Sequence, residues 1–421
     1  MQATGPVAAV NDLVPGVCMA RQPIVDVNGK VVAYELLHRE TATDEACHVD
    51  GERATAQVLT DAILAWGIPT VSNGLPLFVN FTPRLLVDEA ATLLPAPSVV
   101  LELTEDMPAN ENTIAACRRL QAQGYAIALD DFVEDSVAER FLPFATYVKV
   151  DVLSTPAHRL GPIAMRLRPR GIKLVAEKVE TQETAQKAAA LGYELFQGYF
   201  FARPTTITTH AVTPRRAAYL DLLAAINDPE ITIAELEKLV KRDASLSHRV
   251  LRCLQSASWG LRHEVSSIKE ALILLGIEPV RKWTSIWAVA GMSGGRPAEV
   301  VTMALVRARM CEQLAAVHWG PRAASEFFLL GLCSLLDVML QTTIAVATAD
   351  LPLPLTIREA LKGAPGRARS VLDCVIAYEQ GDWIRADTAA QFAGIVTRTL
   401  PDAYGDALQW VVSLNSASAK T

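Results

Sequence analysis

From Ala20 to about Pro204, short runs of β-branched and aliphatic residues alternate with longer stretches whose apolar positions recur at helical spacing. This rhythm predicts repeated βα units built on a parallel sheet. Strands are expected at Pro23 to Asp26 with Val31 to Leu36, then at Leu77 to Asn80, Val99 to Leu103, Ala126 to Leu129, Tyr147 to Val150, Lys173 to Ala176 and, briefly, near Leu195. Between them Glu52 to Trp66, Glu111 to Gln123 and Gln182 to Leu191 are rich in alanine and leucine and long enough to return the chain across the sheet. Strands in this number and order are enough to close an α/β barrel of the TIM type.

The rhythm stops at Arg203-Pro204-Thr205-Thr206-Ile207-Thr208-Thr209-His210, and Pro214 closes the interruption. Beyond it strand alternation disappears, and helix starts can be read directly. Thr232-x-x-Glu235 ahead of Leu236, Leu239 and Val240, and Ser267-x-x-Glu270 ahead of Leu272, Ile273 and Leu275, fit capping boxes. Gly276 stops the second of these helices. The second half is therefore expected to be an all-α bundle of about ten helices. The expected division is an N-terminal extension (1–19), a barrel (20–204), a linker (205–213), a helical domain (214–405) and a Ser/Ala-rich tail that frays (406–421).

The 421 residues, 51% apolar and 20% charged, suit two globular domains and exclude long disorder. Lys and Arg total 39 against 46 Asp and Glu, and the net charge of −7 argues against direct nucleic-acid binding or attraction to anionic lipid. A phosphate-bearing ligand must be met locally. Met1 to Arg21 lacks the basic start and apolar stretch of a secretory signal, and the most apolar run, Phe327 to Leu336, falls short of the ~20 residues that span a bilayer. Seven cysteines, at 18, 47, 117, 253, 311, 333 and 374, include no Cys-x-x-Cys pair. A cytoplasmic protein with reduced, mostly buried thiols and no membrane partner is expected.

The chemistry is concentrated where the strands of the first half end: Glu35, Asn80, Glu102, Asp130 with Asp131, Lys149, Glu177 and Gln197. In a parallel barrel these positions converge on one mouth. One such residue would mean little, because loops are polar anyway; a series in register points to a site. The set is rich in oxygen and lacks Cys and His, which suits Mg²⁺ or Mn²⁺, as one ion or two. Asp130 and Asp131 could not both stay ionised in a crowded mouth without a cation. With Lys149 as a positive point charge, these are the parts for hydrolysing a phosphodiester: metal to polarise the phosphoryl oxygen and acidify water, Lys149 to position water or phosphate, and a carboxylate to take a proton.

The stretches Gln22-Pro23-Ile24, Tyr34-Glu35-Leu36-Leu37-His38-Arg39, Val79-Asn80, Glu102-Leu103-Thr104-Glu105, Asp130-Asp131-Phe132, Lys149-Val150-Asp151, Ala176-Glu177-Lys178-Val179-Glu180-Thr181 and Gln197-Gly198-Tyr199 resemble, in order, the motifs of EAL domains. Those are TIM-barrel phosphodiesterases of cyclic di-GMP that yield linear pGpG. The resemblance implies that Glu35, Asn80, Glu102, Asp130 and Asp131 bind metal and that Lys149 and Glu177 handle the attacking water. It further implies that Gln197 completes the site, that Gln22 and Arg39 contact the nucleotide, and that Glu105 and Glu180 support it from behind. Three departures stand out. Leu36 replaces the alanine of the family tripeptide, Lys178 stands at a usual glycine, and Val133-Glu134-Asp135-Ser136 replaces a glycine-containing loop. Lost glycines remove positive-φ options, and added carboxylates beside an anionic ligand are unfavourable unless they ligate metal. Binding is thus the firmer expectation, and hydrolysis, an impaired receptor or a nucleotide-independent scaffold remain as alternatives.

The second half resembles an HDOD domain, a helical relative of the HD hydrolases, over roughly residues 210 to 400. The resemblance rests on Leu222-Leu223-x-x-Ile226-Asn227, Asp243-Ala244-Ser245-Leu246 with Val250-Leu251, Ser256-Ala257-Ser258-Trp259-Gly260, and Ser266-Ser267-Ile268-x-x-Ala271 ending at Leu275-Gly276. Where an HD hydrolase carries its His-Asp pair, this chain reads Gly331-Leu332-Cys333-Ser334-Leu335-Leu336-Asp337. The implied role is regulatory, with an unnamed protein partner bound through the helical domain and a homodimer left open. Trp283 with Trp287 and Cys333 read as core, Arg215-Arg216 as a solvated helix start, and His38 and His48 as residues without a metal-binding partner.

Overall fold

The computed structural model describes residues 18–39, 68–198, 214–228, 298–349 and 353–419, with Leu351 and scattered positions between 230 and 289. Eight strands close into a barrel in chain order: β1 (Cys18–Asp26), β2 (Val31–Arg39), β3 (Leu77–Phe81), β4 (Val99–Leu103), β5 (Ala126–Leu129), β6 (Tyr147–Asp151), β7 (Lys173–Glu177) and β8 (Leu195–Gln197). From β2 to β8 neighbouring strands are parallel, as the βα rhythm predicts.

β1 departs from the all-parallel expectation and runs antiparallel to both β2 and β8. The cause is local. Only Val27, Asn28, Gly29 and Lys30 separate β1 from β2, too few for a crossover. They make a tight turn instead. The Asp26 N–H donates to the Lys30 carbonyl at 2.9 Å, its carboxylate accepts from the N–H groups of Asn28 and Lys30 at 2.8 and 2.9 Å, and Gly29 takes φ 76°.

Side chains alternate along each strand. Ile24, Ala33, Phe78, Val100, Ala128 and Val175, with Tyr147 and Leu195 against them, form an apolar plug inside the barrel. The opposite faces, among them Val25, Tyr34, Leu77, Leu101, Val148 and Leu174, pack outward against the surrounding helices. Two residues beyond each member of the plug, or two before it on the reversed β1, stand Gln22, Glu35, Asn80, Glu102, Asp130, Lys149, Glu177 and Gln197, one per strand. The period of the strand therefore places a wholly polar ring directly over a wholly apolar one. Glu35 accordingly sits within β2, not at its end.

Nine helices are described from Pro214 onward. The capping box at Thr232 is formed: the Thr232 N–H donates to the Glu235 carboxylate at 2.9 Å, and the Glu235 N–H to the Thr232 hydroxyl at 3.3 Å. The second box at Ser267, the stretch Glu52 to Trp66, His48, Trp283 and Trp287 lie outside the described residues. The final helix, Leu400–Ala419, continues past residue 405 as one element, with Ala407, Leu408 and Val411 buried. Phe327 to Leu336 runs through the Pro321–Cys333 helix into the next, and no described helix is long and apolar enough to cross a membrane. Cys117, Cys311, Cys333 and Cys374 are buried free thiols.

The Ala298–Trp319 and Pro321–Cys333 helices cross at Gly331, where an added Cβ would overlap the Arg307 main chain and lie 2.5 Å from the Ala308 nitrogen. Gly331→Ala must force the two backbones apart. It is expected to cost about 3 kcal/mol, read as a lower urea midpoint of the full chain; an unchanged midpoint would contradict so close a crossing.

The helical half packs on β1 and β2. The Arg21 N–H donates to the Tyr404 hydroxyl at 3.3 Å, and the Tyr34 hydroxyl to the Glu299 carboxylate at 2.9 Å. The Arg21 guanidinium covers the Tyr34 ring at 4.2 Å and donates to the Val71 carbonyl at 2.5 Å. One continuous apolar cluster runs from the outer barrel face into the bundle.

Candidate functional site

At the centre of the polar ring lies Lys149, whose side chain is 1% exposed. Its ammonium stands 3.0 Å from Glu35 Oε2, 2.9 Å from Asp130 Oδ1 and 2.8 Å from Glu177 Oε1, with Glu102 Oε1 closer still. Four carboxyl groups thus share one protein cation. Burial alone would lower the Lys149 pKa, but Glu102, Glu35, Glu177 and Asp130 outweigh it and hold the ammonium well above the ordinary lysine range. Burial, with Glu35 and Asp130 nearby, pushes the Glu102 carboxyl well up. Glu177 is pushed up to about 8, first by burial and then by Asp130 and Glu35, against the opposing pull of Lys149. Protons thereby relieve part of the negative excess.

The two glutamines of the ring are joined to this cluster. Gln197 Nε2 donates to Glu35 Oε2 at 2.5 Å and to Gln22 Oε1 at 2.8 Å. Gln22 Nε2 donates in turn to the main-chain carbonyl of Gln380, in the helical half, at 3.0 Å. Asn80 Oδ1, Glu102 Oε2, Glu177 Oε2 and Gln197 Oε1 are buried acceptors without a hydrogen-bond donor.

Asp131 faces a different setting. Next to Asp130 but outside the ring, it takes φ 40° and lies 3.6 Å from the Lys178 ammonium, which is 2.7 Å from Asp151 Oδ2. Burial raises the Asp131 pKa, as does Asp130, with Lys178 opposing them. For Asp151 burial also acts upward, but the bonds from Lys178 and from the Ser154 and Leu153 N–H groups prevail and keep it ionised at lower pH. These residues, with Glu105, Phe132, Val133, Ser154 and Thr155, line a cavity of about 290 Å³. Glu180 is exposed beyond β7 and is not part of that lining. Arg39 pairs through its backbone with Cys18, and its side chain lies outside the described residues.

The departures from the family pattern take a definite form here. Lys178 adopts φ 55° and Asp135 φ 62°, so non-glycine residues occupy the left-handed conformations despite the missing glycines. Each costs about 1 kcal/mol of backbone strain. Val133 is not among the positive-φ residues, so glycine has no conformational advantage there. Asp151, to which the sequence reading gave no role, was accessible to it: it lies two residues beyond Lys149 on β6 and shares its face. Gln380 was not, because nothing local marks a main-chain carbonyl as part of a distant site.

The donor chemistry of the ring fits a hard divalent cation, since its orphaned buried atoms are oxygen acceptors, two of them carboxylate oxygens. As they stand, no three Asp, Glu, His or Cys groups among the described residues are arranged to hold a metal ion. The carboxylates are gathered around the Lys149 ammonium, and an incoming cation must share them with it.

The EAL domain family model matches residues 14–204 and the HDOD domain model residues 214–343. An uncharacterized protein of Bacillus subtilis, YuxH, is 32% identical over 410 residues, covering 95% of this chain and 99% of its own. CdgJ of Vibrio cholerae, a cyclic di-GMP phosphodiesterase, is 32% identical over 375 residues, or 87% of this chain and 85% of its own. Among solved structures, Klebsiella pneumoniae BlrP1 in a calcium and cyclic di-GMP complex aligns at 22% identity with a TM-score of 0.38, over 47% of this chain and 58% of that one.

Proposed function

The chain belongs to the EAL domain family, with an HDOD domain in the same chain, and on that premise we propose that its polar ring binds cyclic di-GMP together with divalent metal and opens it to pGpG. The carrying observation is the ring itself: four carboxyl groups on one buried lysine, with buried oxygen acceptors left over. CdgJ, similar over most of both chains, supports turnover.

In this reading Glu35, Asn80, Glu102, Asp130 and Asp131 hold Mg²⁺ or Mn²⁺, which when bound polarises a phosphoryl oxygen and acidifies water. Lys149 orients water or phosphate by its charge. Glu177, with a pKa of about 8 in the metal-free protein, is matched to holding or releasing a proton near neutral pH. Gln22, Gln197 and Arg39 meet the nucleotide. Glu105 stiffens the Asp131 wall, and Glu180 supports the turn after β7. The helical half, from about residue 214, binds a protein partner, in the cytoplasm, and residues 205–213 serve as the linker that precedes it.

Purified protein with Mg²⁺ or Mn²⁺ and cyclic di-GMP, followed for both bound nucleotide and released pGpG, tests this. Metal-dependent pGpG is the expected result. Binding without pGpG would make the protein a receptor, and no binding at micromolar nucleotide would leave only a scaffold.

One observation favours the receptor: Lys178 neutralises Asp131 and Asp151, where glycine is usual. Lys178→Gly is expected to tighten Mn²⁺ binding about tenfold, since removing a competing charge is worth about 1 kcal/mol or more at a partly exposed site. Isothermal titration gives the constant, and an unchanged value would clear Lys178 of that role.

A further inference from the structure

We infer that the main chain at Gln380 is a positioning element of the barrel site, so that the helical half sets how Gln22 meets its ligand; this rests on the ring being the nucleotide site. The argument starts from the two ends of the hydrogen-bonded chain. The Gln380 carbonyl can only accept, and so can the Glu35 carboxylate. Between them Gln22 must turn Nε2 toward Gln380, which leaves Oε1 toward Gln197, and Gln197 must turn Nε2 toward Glu35 and Gln22. Gln197 Oε1 is thereby left as the buried acceptor without a donor. Remove the Gln380 carbonyl and Gln22 Nε2 loses its acceptor, so that the amide is held at one end only, by Gln197.

The carbonyl is itself held firmly. Glu379, the preceding residue, pairs with the buried Arg307 at 2.7 Å. The Tyr378 ring packs on Trp383 and Tyr404, at centroid distances of 5.1 and 5.2 Å. Gly381, the following residue, turns the chain at φ 71°, and an added Cβ there would lie 2.6 Å from Leu37 Cδ1. Leu37 is two residues beyond Glu35 on the same face of β2, so the corner at 380 and 381 rests on the lip of the barrel directly above the ring.

The test uses the full chain, cyclic di-GMP as probe and isothermal titration. Leu37 Cδ1 can swing aside from the added methyl group, but a side chain at φ 71° is strained whatever the space, and relief of that strain in Gly381→Ala is expected to shift the corner and weaken binding about tenfold, the loss of one well-oriented hydrogen bond. Gln22→Ala should weaken binding by itself and lose nothing more when combined with Gly381→Ala. That non-additivity is the signature of positioning, because a general loosening of the fold would add to the loss of Gln22. If Gly381→Ala binds as the unmodified protein does while Gln22→Ala binds weakly, or if the two losses add, the inference is overturned and the nucleotide site stands. If the unmodified protein binds no cyclic di-GMP, both fall together.

Discussion

Lys149→Met is expected to remove about 3–5 kcal/mol of stability from the metal-free protein at neutral pH, the usual cost of taking one partner from a buried ion cluster. Methionine fills the volume and supplies no charge, leaving Glu35, Glu102, Asp130 and Glu177 facing one another without their shared cation. Thermal melting of the chelator-treated full chain reads the effect, and a midpoint near that of the unmodified protein would show that the ammonium does not hold the ring together. Two dependences should accompany the loss. Acid should lessen it, because protonated carboxyls no longer repel. Millimolar Mn²⁺ should lessen it too, by supplying a cation that the ring otherwise lacks. In the unmodified metal-free protein Glu177, raised from 4.5 to about 8, binds its proton more tightly folded than unfolded. Its contribution is therefore complete below about pH 4.5 and is lost as pH rises through about 8.

Gly198→Ala should be as damaging, by backbone geometry in place of charge. Gly198 has φ 139°, a region almost closed to side chains, and an added Cβ would overlap the Val179 carbonyl and lie 2.6 Å from its nitrogen. Neither atom belongs to a side chain that can swing away. The same stretch carries the bond from the Val179 N–H to the Gln197 carbonyl at 2.9 Å. Accommodating the methyl group must therefore shift β8 and take Gln197 off Glu35. A stability loss of about 3 kcal/mol or more is expected, together with at least a tenfold loss of cyclic di-GMP affinity. Unchanged binding in a folded variant would mean that Gln197 has no part in the site.

Much of the barrel was legible because strand period and strand order are properties of the chain. Once Phe78, Val100, Ala128 and Val175 are taken as one inward layer, Asn80, Glu102, Asp130 and Glu177 must form the next. The capping box at Thr232 was legible for the same reason, since both its members lie within one turn. What escaped depends on what a residue meets across space. β1 resembles any short strand, and its reversal follows from the brevity of the turn after Asp26. Lys178 could be seen to replace a glycine, but its grip on Asp131 and Asp151 needed the folded loop. Gln380 contributes a main-chain atom, which no side-chain pattern can mark.

The reversal of β1 also bears on synthesis. This strand is made before every other element of the barrel, yet it closes the barrel against β8, and its Gln22 meets Gln380, 358 positions later. At about 5–20 residues per second, the ribosome needs roughly 20 to 70 s to deliver that contact. During that interval the hairpin of β1 and β2 can form from neighbouring residues alone, but its outward Tyr34 has no helical half to cover it. The nascent barrel therefore keeps an apolar edge exposed until the helical half has been made. A chaperone that shields such an edge would have its greatest effect before the helical domain emerges.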